Sequence, residues 1–422
     1  MGEPASGGAD RARVGRGRHL ALSTGWFGMN FHWLPLNFVL IQAQVRGLVP
    51  RADVPVGIGL VAGLGGVLAV TVPPLTGLIS DHLRTPWGRR RPVIVVGLVG
   101  NLAGLAIMAM AGSYKQLVAG YLTVQLFNNA VGAAYAGIVP DLVPQAEFGW
   151  ASGLLAAMFN LGGILGVGTT LAMSSLGALT ATYGVIAVVI VASFLPVLRV
   201  AGAEALRPVL PPSRPPIGVA LRALLRPLFG GDFAWVVMTR LLVASGITVV
   251  SYFLSPFFAD VVKVPNPDQF TSLWLLLVFA AAIPFGLVGG GVSDRIGRKL
   301  FVYGSGSFQA LVAAVFIVFY PTNPLVLLLL GAVYGLAYGL YYAVDWALAC
   351  DTLPDARATA KDMGLFHIAY VLPQVVVPLV GGVLIEVLSA ISPGNGYRAV
   401  FALSIVFMAL GTLLVSRIRT VR

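Results

Sequence analysis

Twelve apolar stretches, each about as long as a membrane is thick, constrain this chain more than any other feature. They run at approximately 21–45, 54–79, 92–112, 115–139, 150–173, 178–198, 232–260, 270–292, 300–320, 324–349, 362–387 and 397–416. Hydrocarbon offers backbone N–H and C=O groups no partner, so a segment of about 20 apolar residues inside it must satisfy its own polar groups as a helix. The pattern predicts an all-α polytopic membrane protein with 12 transmembrane helices. Twelve spans need about 240 apolar residues, and 58% of the 422 residues are hydrophobic while 10% are charged. An ordinary soluble domain is about 25% charged. A soluble globular enzyme is thereby excluded. The first stretch follows Arg11, Arg13, Arg16 and Arg18, as in a signal peptide. It is too long for one and contains Asn30, His32 and Asn37, so it reads as the first spanning helix.

The net charge of +11 would suggest a nucleic-acid partner in a soluble protein. Here the basic residues cluster between apolar runs, where the positive-inside rule places them, and no nucleic acid is expected. Alternating the loops puts twenty-one Lys and Arg on one side of the membrane and five on the other. Both termini are expected in the cytoplasm of a multi-pass cell-membrane protein. The single cysteine, Cys350, cannot form an intramolecular disulfide. With no CxxC or His/Cys ligand spacing, no metal and no cofactor are expected.

The stretch 201–229 is rich in proline and is the one long polar break. It reads as a linker between an amino-terminal half, 1–200, and a carboxy-terminal half, 230–422. An internal repeat supports the division. Gly77-Leu-Ile-Ser80-Asp81, followed by Gly88-Arg89-Arg90, recurs as Gly290-Gly-Val-Ser293-Asp294, followed by Gly297-Arg298-Lys299; the two aspartates are 213 residues apart. A weaker echo pairs Asp141-Leu-Val-Pro144 with Asp351-Thr-Leu-Pro354. Two pseudo-symmetric six-helix bundles of parallel topology, around a central cavity, are the expected architecture of an alternating-access transporter.

The loop Gly290-x-x-x-Asp294-Arg295-x-Gly297-Arg298-Lys299 resembles, in full, the loop signature of the major facilitator superfamily, and it lies between the eighth and ninth helices where that family repeats it. The first copy, from Ser80-Asp81 to Gly88-Arg89-Arg90-Arg91-Pro92, has four extra residues between aspartate and glycine. That longer form is similar to the loop of the sucrose/proton symporters and the glycoside-pentoside-hexuronide cation symporters. Pro140-Asp141-Leu142-Val143-Pro144, Ala343-Val344-Asp345-Trp346-Ala347-Leu348-Ala349 and Leu372-Pro373-Gln374 resemble bacterial members of that branch. The resemblance implies a transporter and no enzyme. Sodium-coupled members carry carboxylates in helices two and four, and proton-coupled sucrose carriers an acid in helix four; here neither helix holds an acid, and the proton is the expected coupling ion with Asp345 serving in that acid's place.

The loops also have a physical reading of their own. Glycine lets a turn close tightly, an aspartate is attracted to a helix N-terminus, and arginine hydrogen-bonds helix C-terminal carbonyls. Asp81, Arg89, Arg90, Asp294, Arg295 and Arg298 are therefore candidate gating residues. Asp81 is expected near the N-terminus of the eleventh helix and Asp294 near that of the fifth. The arginines also set topology.

Polar residues inside the helices fall on single faces: Asn30, Trp33, Asn37 and Gln44; Tyr121, Gln125, Asn128 and Asn129; Tyr334, Tyr338, Tyr341 and Asp345; His367, Tyr370 and Gln374. Amides, hydroxyls and aromatic faces suit a neutral hydroxylated solute. Asn37, Gln125, Asn128, Tyr338, Tyr341 and Gln374 are the candidate substrate contacts, although each amide is equally suited to interhelical hydrogen bonding. Arg240 and Asp345 are the charges left inside helices, where each costs roughly 2.5–3.5 kcal/mol. They form either a structural ion pair or a coupling group. Asp345 is the candidate proton carrier, with Arg240 or His367 as its partner.

The chain is thus expected to be a proton-coupled importer of a small sugar- or glycoside-like solute, acting as a monomer in the bilayer. An efflux carrier of an amphipathic molecule is the alternative on the same fold. An intramembrane enzyme is disfavoured because His32 and His367 lack an HExxH or GxSxG context. No ATP-binding P-loop is present, so solute movement is not driven directly by ATP hydrolysis.

Overall fold

The computed structural model describes residues 14–50, 53–202, 222, 224–319, 321–355, 357–391 and 394–421. Most of the expected linker 201–229, and Arg11 and Arg13, lie outside the described residues. Every regular element among the described residues is helical. Twelve long rods follow in order. The first, α1, runs Arg16–Pro35 and continues through a π turn, Leu36–Leu40, into Ile41–Leu48. Then come α2 (Val54–His82), α3 (Arg91–Ala109), α4 (Tyr114–Ala136), α5 (Phe148–Ser175) and α6 (Ala181–Val200). After them come α7 (Gly231–Phe257, prolonged by a π turn Phe258–Val262), α8 (Pro267–Ile296), α9 (Arg298–Phe319), α10 (Pro324–Asp351), α11 (Thr359–Ser389) and α12 (Asn395–Leu414). Helical ends fall within a few residues of the apolar stretches, as expected when hydrocarbon thickness sets their length.

Ten of the rods are long and apolar enough to cross a membrane. The other two, α1 and α4, carry the amide-rich faces, which lower their hydropathy. The chain is a multi-pass membrane protein. It separates into two compact units, one of Met1–Leu224 with Leu353–Gly364, the other of Leu225–Thr352 with Leu365–Arg422. In the first unit α1 packs on α5 so closely that the backbone at Phe27 and Phe31 lies against Gly162 and Gly166. A core of Leu36, Leu40, Val45, Leu105, Met108, Leu117, Val124 and Ile186 holds α1, α3, α4 and α6 together. In the second unit an aromatic cluster does this: Phe257 packs edge-to-face on Phe401 (5.1 Å between ring centroids) and on Phe316 (5.6 Å), the geometry that rings prefer.

One expectation about α1 fails. Heptad spacing puts Asn30, Asn37 and Gln44 on one face, but they serve four different neighbours. Asn30 Nδ2 donates to the Phe159 carbonyl of α5, Asn37 Oδ1 accepts from Tyr121 of α4, and Gln44 bonds Met108 of α3 and Tyr183 of α6. The π turn between them adds a residue to the helical count and rotates the rest of the helix, so heptad spacing no longer means a shared face.

Candidate functional site

The repeated loop builds the same polar cluster in each unit. In the first, Ser80 and Asp81 end α2, Arg89 and Arg90 precede α3, and Asp141 lies in the short helical turn Ile138–Leu142 after α4. All five are buried. Arg90 Nη1 lies 2.7 Å from Asp81 Oδ1 and donates to Ser80 Oγ (3.0 Å), while its Nε and Nη2 donate to Asp141 Oδ2 at 3.1 and 3.0 Å. Arg89 Nη2 donates to the other Asp141 oxygen at 2.8 Å. In the second unit Arg298 donates to Asp294 (3.0 Å), to Ser293 (3.4 Å) and to Asp351. Arg295 is exposed and adds nothing to this cluster. Gly88 and Gly297 turn the chain at φ 89° and 107°, where a Cβ is disfavoured.

The first cluster also holds the segment 353–364, which belongs to the same unit. Asp81 accepts from the backbone N–H groups of Ala360 (3.3 Å) and Lys361 (2.9 Å) at the start of α11. A helix start leaves its first N–H groups without internal partners and carries partial positive charge, so a buried carboxylate there is doubly favoured. Thr359 Oγ1 donates to Asp141 (2.9 Å) and accepts from Arg90 (2.7 Å), and Arg89 Nη1 donates to the Arg357 carbonyl (2.9 Å). Gly77 sits inside α2, as the stretch 54–79 predicts, where a Cβ would meet the Ala360 carbonyl. Asp294 bonds within its own unit, to Arg298.

Asp141 is the member that sequence reasoning left out of the gating set. Its signal was present in the weak echo of Asp141-x-x-Pro144 in Asp351-x-x-Pro354, because each of these aspartates pairs with the arginine of its own repeat.

In the second unit α7 and α10 bring Arg240 and Asp345 together as a buried ion pair, 6% and 3% exposed. Both lie within their helices rather than at the ends, ~13 Å and ~9 Å in at 1.5 Å per residue. Tyr341 donates to the free carboxylate oxygen at 3.1 Å. The guanidinium lies over the Phe366 ring at 3.9 Å and nearer the edge of reach of Tyr370 at 5.5 Å. Its Nε has no partner. Tyr342 stands at right angles to Tyr341 and Tyr370 and packs on Tyr338 (4.5 Å between centroids). His367 makes a ring contact with Tyr370 at 6.3 Å, and Arg240, not His367, is the bonded partner of Asp345.

The remaining candidates divide by unit. Gln125 and Asn128 are buried on α4. Tyr121 donates to Asn37, Gln125 Nε2 donates to Tyr121, and Asn129 Nδ2 donates to Gln125, so these four side chains form one hydrogen-bonded string, while Asn128 accepts from Asn101. Tyr338 and Tyr341 are buried on α10, and half-buried Gln374 donates to the Tyr370 carbonyl one turn back.

Residues 55–361 match the Major Facilitator Superfamily, and the chain belongs to that family of transporters. Over 127 residues it is 30% identical to a "Tetracycline resistance protein, class E" of Escherichia coli, covering 30% of each chain. Over 141 residues it is 30% identical to a "Uridine/deoxyuridine transporter" of Lactococcus lactis subsp. cremoris, covering 30% of this chain and 28% of that one. These matches span only about a third of either relative. Among solved structures, the proton:xylose symporter XylE bound to 6-bromo-6-deoxy-D-glucose superposes with a TM-score of 0.73 at 13% identity, over 94% of this chain and 95% of that one. At that identity the likeness is one of fold.

Proposed function

We propose that this chain is a proton-coupled secondary transporter that imports a small, polar, sugar-like solute by alternating access. Asp345 binds the proton and Arg240 is the charge that responds to it, with His367 as the third group of the set. The observation behind this assignment is the enclosed Arg240–Asp345 pair with Tyr341 on its free oxygen. A buried ion pair contributes little net stability against hydrophobic replacement, and charges inside membrane helices mark ion pathways. A proton on Asp345 removes the charge that holds Arg240, leaving the guanidinium to Phe366 and Tyr370. The bond between α7 and α10 is then free to rearrange.

The halves 1–200 and 230–422, joined by 201–229, are the moving parts. Asp81, Arg89, Arg90, Asp294, Arg295 and Arg298 control their opening, both termini lie in the cytoplasm, and the protein works as a monomer. Asn37, Gln125, Asn128, Tyr338, Tyr341 and Gln374 contact the solute, as in the sucrose and glycoside symporter branch. The tyrosine-rich wall of α10 and the stretch similar to tetracycline resistance proteins favour a second reading, export of an amphipathic molecule. Uptake of xylose, uridine and tetracycline into proteoliposomes, with a pH gradient imposed in either direction, separates the two. Acid-outside accumulation of xylose or uridine supports import of a polar solute. Movement of tetracycline alone supports export, and no gradient-dependent movement of any of the three overturns both.

A further inference from the structure

α1 buries His32 completely, and neither ring nitrogen has a hydrogen-bond partner. A neutral imidazole presents one N–H donor and one acceptor nitrogen, and a histidine that serves structure has its tautomer fixed by a partner on at least one of them. No well-formed hydrogen bond among the described residues fixes it here. The ring stands edge-on to Trp33 (6.4 Å between centroids), and the Asn128 amide of α4 faces it without meeting hydrogen-bond geometry. Asn128 Oδ1 in turn accepts from Asn101 Nδ2 of α3 at 3.2 Å, and Asn101 Oδ1 has no donor. A polar string therefore crosses α1, α4 and α3 and ends on an unsatisfied acceptor.

Among the described residues no charged side chain is paired with this ring. The ionisable groups of the helices packed on α1 are committed elsewhere. Tyr121, Tyr135 and Tyr183 donate to Asn37, to the Leu22 carbonyl and to Gln44, Tyr114 donates to the Gly57 carbonyl, and α5 carries no ionisable residue. Lys115 and Arg199 sit at the ends of α4 and α6, and the charged ends of α2 and α3 are likewise engaged, Asp81 by Arg90, His82 by the Leu78 carbonyl and Arg91 by the Leu198 carbonyl. On α1 itself Arg16, Arg18 and Arg46 lie near the ends, and His19 is bonded to Glu147 at 3.0 Å.

Just beyond His32 the helix is at its weakest. Pro35 has no N–H to offer the Phe31 carbonyl, and the π turn Leu36–Leu40 follows at once. π turns inside helices concentrate at functional sites. From the enclosed, unpartnered ring beside this break we infer that His32 is a second proton-binding residue, in the amino-terminal unit, resting on the proton-coupled reading above. When α1 loosens at the π turn, water reaches the string. The free ring nitrogen then takes a proton from hydronium, forming one N–H bond and leaving water. The imidazolium has two donors, and the amide oxygens of the string are the acceptors on offer. In the closed arrangement the proton returns to water. Because it binds only the hydrated arrangement, acid shifts the population towards that arrangement.

Histidine-selective 13C,15N NMR of the protein in lipid nanodiscs tests this, since the chain has 4 histidines. The signal lost in His32→Gln is expected to pass from the neutral to the imidazolium form between about pH 8 and pH 5. If that variant does not fold, His19→Gln, His82→Gln and His367→Gln assign the signal by elimination. A His32 signal that stays neutral across the whole range overturns the inference. Proteoliposome accumulation by Asp345→Asn keeps the two claims apart. Titration of His32 alongside a variant that still accumulates solute retains His32 and removes the Asp345 assignment; a neutral His32 alongside lost accumulation does the reverse.

Discussion

The Arg240–Asp345 pair should behave as a strongly coupled unit in stability as well as in transport. Asp345→Asn keeps the shape of the side chain and its contact with Tyr341 but removes the countercharge of a guanidinium that is 6% exposed. Breaking a buried pair from one side costs about 3–5 kcal/mol. Phe366, 3.9 Å beneath the guanidinium, still offers a desolvated cation–π contact of about 2 kcal/mol. The loss should therefore fall at the lower end, about 3 kcal/mol, or roughly a hundredfold in the unfolding constant at 1.4 kcal/mol per decade. Arg240→Met together with Asp345→Leu removes both charges and should sit within about 1 kcal/mol of the native protein or above it. Reversible denaturant unfolding in bicelles, read by tryptophan fluorescence, gives all the corners of the cycle once Arg240→Met and Asp345→Leu are added as single variants. If the double variant loses as much as the two single losses summed, the charges are not coupled and the pairing account is wrong.

Asp81→Asn leaves the N–H groups of Ala360 and Lys361 facing a neutral amide and takes the charge from Arg90; solute transport should fall while the amount of folded protein in the membrane is unchanged, and an unaltered rate would remove the gating role. Gly77→Ala should destabilise by about 1–3 kcal/mol, because its Cβ meets the Ala360 backbone. Gly63→Ala on the same helix meets nothing within 4 Å and should be neutral or gain up to about 1 kcal/mol; thermal unfolding of the two variants compares them. Alanine at Asn37, Asn128, Tyr341 or Gln374 should raise the apparent Michaelis constant for whichever solute is transported, and four unchanged constants would move the substrate site elsewhere.

The helices were legible in the sequence because hydrocarbon thickness dictates their length, and the Arg240–Asp345 pair because so few charges remain once loops are subtracted. The repeated loop announced its cluster in each unit, down to the turn glycines Gly88 and Gly297. What escaped was geometry that one residue can shift. The π turn of α1 dispersed Asn30, Asn37 and Gln44 among four neighbouring helices. The inclusion of 353–364 in the first unit depends on Gly77, Asp81 and Asp141 acting at once, which spacing alone does not reveal. His32 stood out only when its ring nitrogens were found without partners, since a histidine in an apolar run has the same sequence signature whether it is bonded or not.

The central claim, that Asp345 couples solute movement to the proton, is tested most directly by measuring two modes of transport in Asp345→Asn proteoliposomes. Accumulation driven by a pH gradient requires the proton to bind and leave, whereas exchange of solute at equal concentrations requires only the conformational cycle. The account predicts that the variant exchanges solute at a rate comparable to the native protein and accumulates none. A variant that still concentrates solute against its gradient when the outside is acidified would contradict it.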